Sequence, residues 1–263
     1  MNWFLFRQIF QFLGWQIIWP VHFALLRKAA FTNVFLHQVI INTSRKVSNG
    51  IPALRKKMLT DKRIIDTGHY GAGSKKGTSI RQICDVARYS STGSKKGLLL
   101  LNIVELYKPH TIIELGTSLG FGSMYMADSD AESHIISIEG SRELHELAAR
   151  NISQLGFTNV HLVNDTFDEA LPEWLKKNDG CDLLFIDGNH MKEATLKYFQ
   201  VFLPYAKPGS IVVFDDIRWS QGMYEAWSEI RKHEAVKTSI DLFSVGIVFF
   251  EPLDCKQHFR ICY

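Results

Sequence analysis

Five short segments carry side chains able to do chemistry, and each closes an apolar, β-branched run. "ELGTSLGFGS" holds Glu114, Gly116, Thr117, Ser118, Gly120 and Gly122. Glycines at this spacing let the backbone turn tightly and approach a ligand. A dinucleotide fingerprint would need glycine where Ser118 stands, which disfavours a nicotinamide enzyme. "IISIEG" ends on Glu139, which could accept two hydrogen bonds from a ribose diol or cap a helix. "NDTFDEALP" offers Asp165 and Thr166, as ligand contacts or as a helix N-cap. "FIDGNH" and "FDDIRWS" place Asp187, His190, Asp215 and Asp216. Three carboxylates on one rim repel unless they are protonated, paired with cations or metal-bound. A hard cation such as Mg²⁺ suits such oxygen ligands. It would hold two substrate oxygens and lower the pKa of a hydroxyl. His190 is the candidate general base, with a solvated loop or helix-cap histidine as the alternative.

These segments converge only if the chain folds so that their strands end together. "TIIEL", "HIISIE", "VHLVN", "CDLLFID" and "GSIVVFDD" read as buried strands. Helical segments separate them: "GSMYMADS", "SRELHELAARNISQLG", "DEALPEWLKK" and "KEATLKYFQVFLPYA". "LLLLNIVELY" precedes the first strand and "QGMYEAWSEIRKH" follows the fifth. The alternation predicts an α/β fold with a doubly wound, mostly parallel sheet and helices on both faces. Ligands then bind beyond the carboxyl ends of the strands. "DLFSVGIVFF" and "HFRICY" are joined by a segment too short for a helical crossover, so they are expected to close a seven-stranded sheet as an antiparallel hairpin. Trp219, Met223 and Trp227 form a helical stripe, either core or the floor of an acceptor pocket.

Upstream, residues 1–60 read as an apolar helical extension and residues 61–97 as a glycine-rich lid or substrate-side segment, with the main domain over 98–263. From Gln8 to Leu26 there is no Asp, Glu, Lys or Arg. That run approaches the length of a membrane span. Its glutamines, Pro20 and His22 fit better with an amphipathic helix packed on protein, as in a homo-oligomer, or lying on a membrane surface. Arg7 and the lack of a basic start make it a poor signal peptide. Asn49-Gly50, with Pro52 beyond, marks a helix stop and restart. "SIRQICDVARY" has helical period, with Ile80, Ile83, Val86 and Ala87 on one side. The pentapeptide GSKKG occurs at residues 73–77 and again at 93–97, with unrelated flanks.

Bulk composition narrows the classes. A chain of 263 residues with 46% hydrophobic and 22% charged residues is that of a globular protein. The net charge of +3 gives no case for a nucleic-acid binder. Cys84, Cys181, Cys255 and Cys262 have neither C-x-x-C nor zinc spacing. They read as thiols in a reducing cytoplasm.

Taken in order, "IIELGTSLGFGS", "IISIEG", "LLFIDGNH" and "GSIVVFDDIRWS" resemble the class I S-adenosylmethionine-dependent methyltransferases, in the catechol O-methyltransferase-like branch. The resemblance covers about residues 97–263 and leaves the first 60 unmatched. It implies S-adenosylmethionine as donor, held by Glu114, Gly116, Thr117, Ser118, Gly120, Gly122, Glu139, Asp187 and, at the adenine edge, Asp165 and Thr166. It also implies Mg²⁺ at Asp187, Asp215 and Asp216, where Asp216 replaces the family's usual Asn as in the sugar O-methyltransferases. The catechol enzymes carry a lysine where this chain has His190. The implied reaction is methyl transfer to a hydroxyl of a small molecule in the cytoplasm. The rival reading is a non-catalytic donor-binding protein that docks through its apolar N-terminus. On this resemblance the second GSKKG opens a helix on the cofactor side, with Ser94 as cap and Lys95-Lys96 facing an anion such as the donor carboxylate. The first copy falls in a substrate-side loop.

Overall fold

Successive residues of a strand face opposite sides of the sheet, and here both sides are apolar. Ile112, Ile135, Leu183, Ile211 and Ile247 pack on one face, and Ile113, Ile136, Leu184, Val212 and Val248 on the other. Double-sided burial calls for helices on both faces. The computed structural model describes residues 35–40, 47–68, 79–251, 256–261 and 263. The charge-free N-terminal run, the first GSKKG, Cys255 and Cys262 lie outside the described residues.

A π-helical turn (Leu36–Ile40) and helix α1 (Gly50–Met58) come first. Helix α1 restarts at Gly50, as the Asn-Gly signal predicts. Strands β1 (Ile64–Asp66) and β2 (Ile80–Gln82) form a two-stranded antiparallel ribbon, and α2 is Ile83–Tyr89. The helical reading of "SIRQICDVARY" is therefore half right. Ile83, Val86 and Ala87 are buried on α2, whereas Ile80 is exposed on the ribbon.

The main domain runs α3 (Ser94–Tyr107), β3 (Thr111–Leu115), α4 (Phe121–Ser129), β4 (His134–Ile138), α5 (Arg142–Gln154), β5 (Val160–Val163), α6 (Phe167–Lys177), β6 (Leu183–Ile186) and α7 (Lys192–Phe202). It continues through β7 (Ile211–Phe214), α8 (Gln221–Ile230), β8 (Thr238–Asp241), β9 (Gly246–Phe249) and β10 (Gln257–Arg260). The sheet order is β10-β8-β9-β7-β6-β3-β4-β5. It is parallel except where β9 runs against β7 and β8.

The sheet has eight strands rather than seven, and its hairpin lies one strand earlier than expected. "DLFSVGIVFF" is not a single strand. It holds the end of β8, a turn and all of β9. Phe243 in that turn takes φ +74°, a left-handed value rare for a bulky residue. Helical patterning gives no warning of it. The last strand, β10, pairs parallel with β8 at the sheet edge.

Among the described residues, no helix is long and apolar enough to cross a membrane. Cys84 and Cys181 are buried free thiols. Burial pushes the Cys181 thiol well above its ordinary range.

Candidate functional site

Strand order reverses between β3 and β6. From there one half of the sheet winds away through β4 and β5 and the other through β7. The loops after β3 and β6 separate at such a switch point and leave a crevice. Here the two strand ends are tied, with the Asp187 N–H donating to the Leu115 carbonyl at 2.9 Å. Gly116 lies against this tie at φ +105°, and a Cβ there would sit 2.3 Å from the Asp187 carbonyl oxygen. Only glycine serves at this position.

The glycine loop is held from below by two buried acids. Glu114 is fully buried and accepts hydrogen bonds from the Ser123 and Ser137 hydroxyls at one oxygen. Its other oxygen faces Gly122, where an added Cβ would come within 2.2 Å. Burial pushes the Glu114 carboxyl up to about 7, against the pull of the two hydroxyls. Glu114 therefore supports the loop from beneath and is not an exposed ligand. Thr117 is buried too, its hydroxyl 2.6 Å from that of Ser137.

Glu139 stands at the end of β4 and accepts from the backbone N–H groups of Ser118 (2.8 Å) and Ser141 (2.9 Å). Burial raises its pKa while these donors oppose the rise. Ser118, the residue that breaks the dinucleotide fingerprint, takes φ +50° and so turns its N–H onto Glu139. Gly120, at φ +85°, completes the turn into α4.

After β5, Thr166 caps α6, accepting from the Glu169 N–H at 3.4 Å. Asp165 accepts from the Thr166 N–H at 2.7 Å. The structure thus gives Thr166 the capping role that competes with a ligand contact, while Asp165 holds the N–H of that cap residue.

The acidic rim after β6 and β7 does come together. His190 Nε2 lies 3.9 Å from Asp187 Oδ1 and 3.9 Å from Asp216 Oδ2. Both are ion-pair separations too long for a hydrogen bond. The Thr92 hydroxyl donates to Asp187 Oδ2 at 3.3 Å. Asp216 takes φ +52°, which turns its side chain towards His190. Trp219, exposed, lies with its ring 6.5 Å from that of His190. Met223 and Trp227 are core, so the stripe divides between the two readings.

The largest departure from expectation is Lys96. Its ammonium donates a hydrogen bond to Asp215 Oδ2, reaching across from the start of α3. Burial works to lower the Lys96 pKa, but the charges of Asp187, Asp215 and Asp216 outweigh it and hold the ammonium protonated far above neutrality. Burial also favours the neutral form of Asp215, yet Lys96 keeps that carboxyl below its usual range. Asp187 goes the other way. Burial and the neighbouring Asp215 charge push it well up. Burial and Asp215 likewise raise Asp216.

This arrangement does not fit the magnesium ion expected from the sequence. Among the described residues, no group of three His, Cys, Asp or Glu side chains is placed to hold a metal. The cation that compensates the carboxylates is an amino-acid side chain. Lys96 also does not face outward to an anion as expected, and the helix cap is Gly93 rather than Ser94. Lys95 instead lies over the Tyr263 ring, 4.5 Å from its centroid, while the Tyr263 hydroxyl donates to the Lys95 carbonyl at 2.7 Å. Sequence reasoning missed the Lys96–Asp215 contact and Thr92. The lysine pair at a helix start was the signal for the first, but its partner lies far along the chain.

Residues 113–217 match a family described as a methyltransferase domain. A catechol O-methyltransferase of Niastella koreensis is 28% identical over 130 residues, which is 48% of this chain and 58% of that protein. The chain spans less than three fifths of the length of the curated relatives it matches first. Among solved structures, an O-methyltransferase from Bacillus cereus in complex with SAH aligns with a TM-score of 0.54 at 19% identity, covering 61% of this chain and 83% of that one. The SAH-bound methyltransferase of Podospora anserina aligns with a TM-score of 0.61 at 13% identity, covering 80% and 91%. At these identities the structural likeness speaks to fold.

Proposed function

We propose that this chain is a class I S-adenosylmethionine-dependent methyltransferase of the catechol O-methyltransferase-like branch, a reading its matches support, and that it transfers the donor methyl group to a hydroxyl of a small molecule. The observation that carries this reading is the arrangement at the switch point. A glycine loop and Glu139 follow β3 and β4, and His190 stands among acids after β6 and β7, with Gly116 packed directly against Asp187. A ribose diol bound by Glu139 would compete with the Ser118 and Ser141 N–H groups for the same carboxylate.

The chemistry asked of the protein is modest, because the sulfonium donor is already activated. The acceptor oxygen attacks the methyl carbon in line, the C–O bond forms as the C–S bond breaks, and the sulfonium charge is neutralised. The hydroxyl proton goes to His190 Nε2, the imidazole being flanked by the acids at 187 and 216. Positioning supplies most of the remaining acceleration. The β1–β2 ribbon, whose Asp66 N–H donates to Glu143 and whose Asp66 carbonyl accepts from Ser141, borders the Glu139 side of the crevice. It supports the segment 61–97 as a wall of the ligand site.

The test has two arms. Calorimetric titration with S-adenosylhomocysteine reads the donor site. Wild type binds, and Glu139→Ala weakens binding by about tenfold or more, as loss of a paired hydrogen-bond acceptor predicts. Transfer of a labelled methyl group to a panel of hydroxylated small molecules reads the reaction. His190→Gln lowers its rate by about 10²–10⁴ while leaving S-adenosylhomocysteine affinity unchanged. Absence of S-adenosylhomocysteine binding by wild type sinks the proposal.

A further inference from the structure

We infer that Lys96 is the resident cation of the acidic rim: its ammonium is bonded to Asp215, one of the carboxylates a divalent ion would need, so this site takes up no divalent metal and presents an ammonium to the acceptor oxygen instead. Only the second half rests on the methyl-transfer reading. The exclusion of the ion stands on the geometry alone.

Three observations support the assignment. First, the contact is built. Asp215 is 2% exposed, its N–H is fixed to the Ile186 carbonyl at 2.9 Å, and Lys96 meets its Oδ2 directly. Asp215 Oδ1 is buried and has no hydrogen-bond partner among the described residues. Second, Lys96 is held on both sides in sequence. Tyr263 clamps Lys95 through the ring and through the backbone carbonyl. Gly97 allows Tyr125 to lie against the helix, where a Cβ would come 2.2 Å from its ring. With Lys95 turned to Tyr263 and Gly97 to Tyr125, the side chain between them points at the strand ends. Third, the charge is balanced. The α3 N-terminus adds its positive end to the ammonium at the same point.

A divalent ion would need Asp187 and Asp215 as bare ligands. To enter, it would have to displace an ammonium already bonded to one of them and meet like charge at close range. The Lys96 side chain remains 24% exposed. An ammonium has three donors, so it keeps N–H groups for an acceptor oxygen after bonding Asp215. In that position it favours the oxyanion as the proton leaves, without a metal.

Manganese titration of the full chain, followed by the electron paramagnetic resonance of the free ion, tests this without knowledge of the acceptor. Wild type and the charge-conserving Lys96→Arg should leave manganese free up to about millimolar concentration. Lys96→Met uncovers the acids and should bind it at least about tenfold more tightly. Lys96→Met combined with Asp215→Asn should lose that gain. Lys96→Gln serves the same purpose if Met is not accommodated. Submillimolar manganese binding by wild type that Asp215→Asn abolishes would overturn the inference, as would the absence of any gain in both neutral variants. Calorimetry with S-adenosylhomocysteine on the same proteins separates the two proposals. Failure of wild type to bind it counts against methyl transfer and leaves the manganese comparison readable.

Discussion

Glu114→Gln should make the protein more stable relative to wild type as pH rises, and the size of the change can be worked from the structure. Glu114 is fully buried, and burial holds its carboxyl at about 7 against an ordinary 4.5. A carboxyl whose pKa is higher in the folded state keeps its proton longer folded than unfolded. Its favourable contribution is full below about pH 4.5 and is lost as pH rises through about 7. The whole loss amounts to about 3 kcal/mol, since each pH unit between the two values is worth about 1.4 kcal/mol. Glutamine has no such titration, and its carbonyl can still accept from Ser123 and Ser137. Its amide must fit beside Gly122, which adds a penalty that does not vary with pH. The diagnostic quantity is therefore the difference between two pH profiles, not either stability alone. Other titrating groups, including Asp187, contribute to both proteins and cancel. Urea unfolding of the full chain at intervals from pH 4.5 to 8 should show the variant gaining about 3 kcal/mol on wild type across the range. In thermal melts the same gain is about 6–10 °C for a chain of this size. Parallel profiles would refute the reasoning. They would mean that Glu114 is already ionised in the folded protein, despite its burial.

Two further substitutions probe the scaffold. Gly116→Ala places a Cβ 2.3 Å from the backbone carbonyl of Asp187, whose N–H ties β6 to β3, at a φ of +105°. It should cost about 1–3 kcal/mol in urea unfolding and weaken S-adenosylhomocysteine binding more than about tenfold by calorimetry. Arg218 makes a two-pronged pair with the buried Asp241, both bonds 2.7 Å, and also donates to the Phe243 carbonyl in the β8–β9 turn. Burial would raise the Asp241 pKa, but Arg218 holds it low. Arg218→Met should therefore cost about 3–5 kcal/mol by denaturant unfolding, and Arg218→Met with Asp241→Asn should recover part of that loss.

Much of the fold was legible because strand signals are local. Runs such as "LLFI" and "IVVF" bury every residue, and the chemistry follows each run directly. Gly116, Glu139, Asp187 and Asp215 could be placed on one rim from order alone, since parallel strands end on the same side. The errors fell where local pattern conflicts with a turn. Ile80 continues the apolar period of α2 but belongs to a ribbon strand, because its pairing with Asp66 is set by residues upstream. The left-handed Phe243 divides what reads as one strand into a hairpin.

The sequence by itself determined the alternation of strands and helices, the glycine turn and the acids at the strand ends, because each depends on neighbours within a few residues. Only the tertiary structure decided how those acids are balanced. Lys96 reaches Asp215 across 119 residues and Tyr263 reaches the Lys95 carbonyl across 168. No spacing rule connects such pairs. Charge compensation in a buried cluster is a property of the space around it, and that space exists only once the sheet has formed and α3 has packed against it.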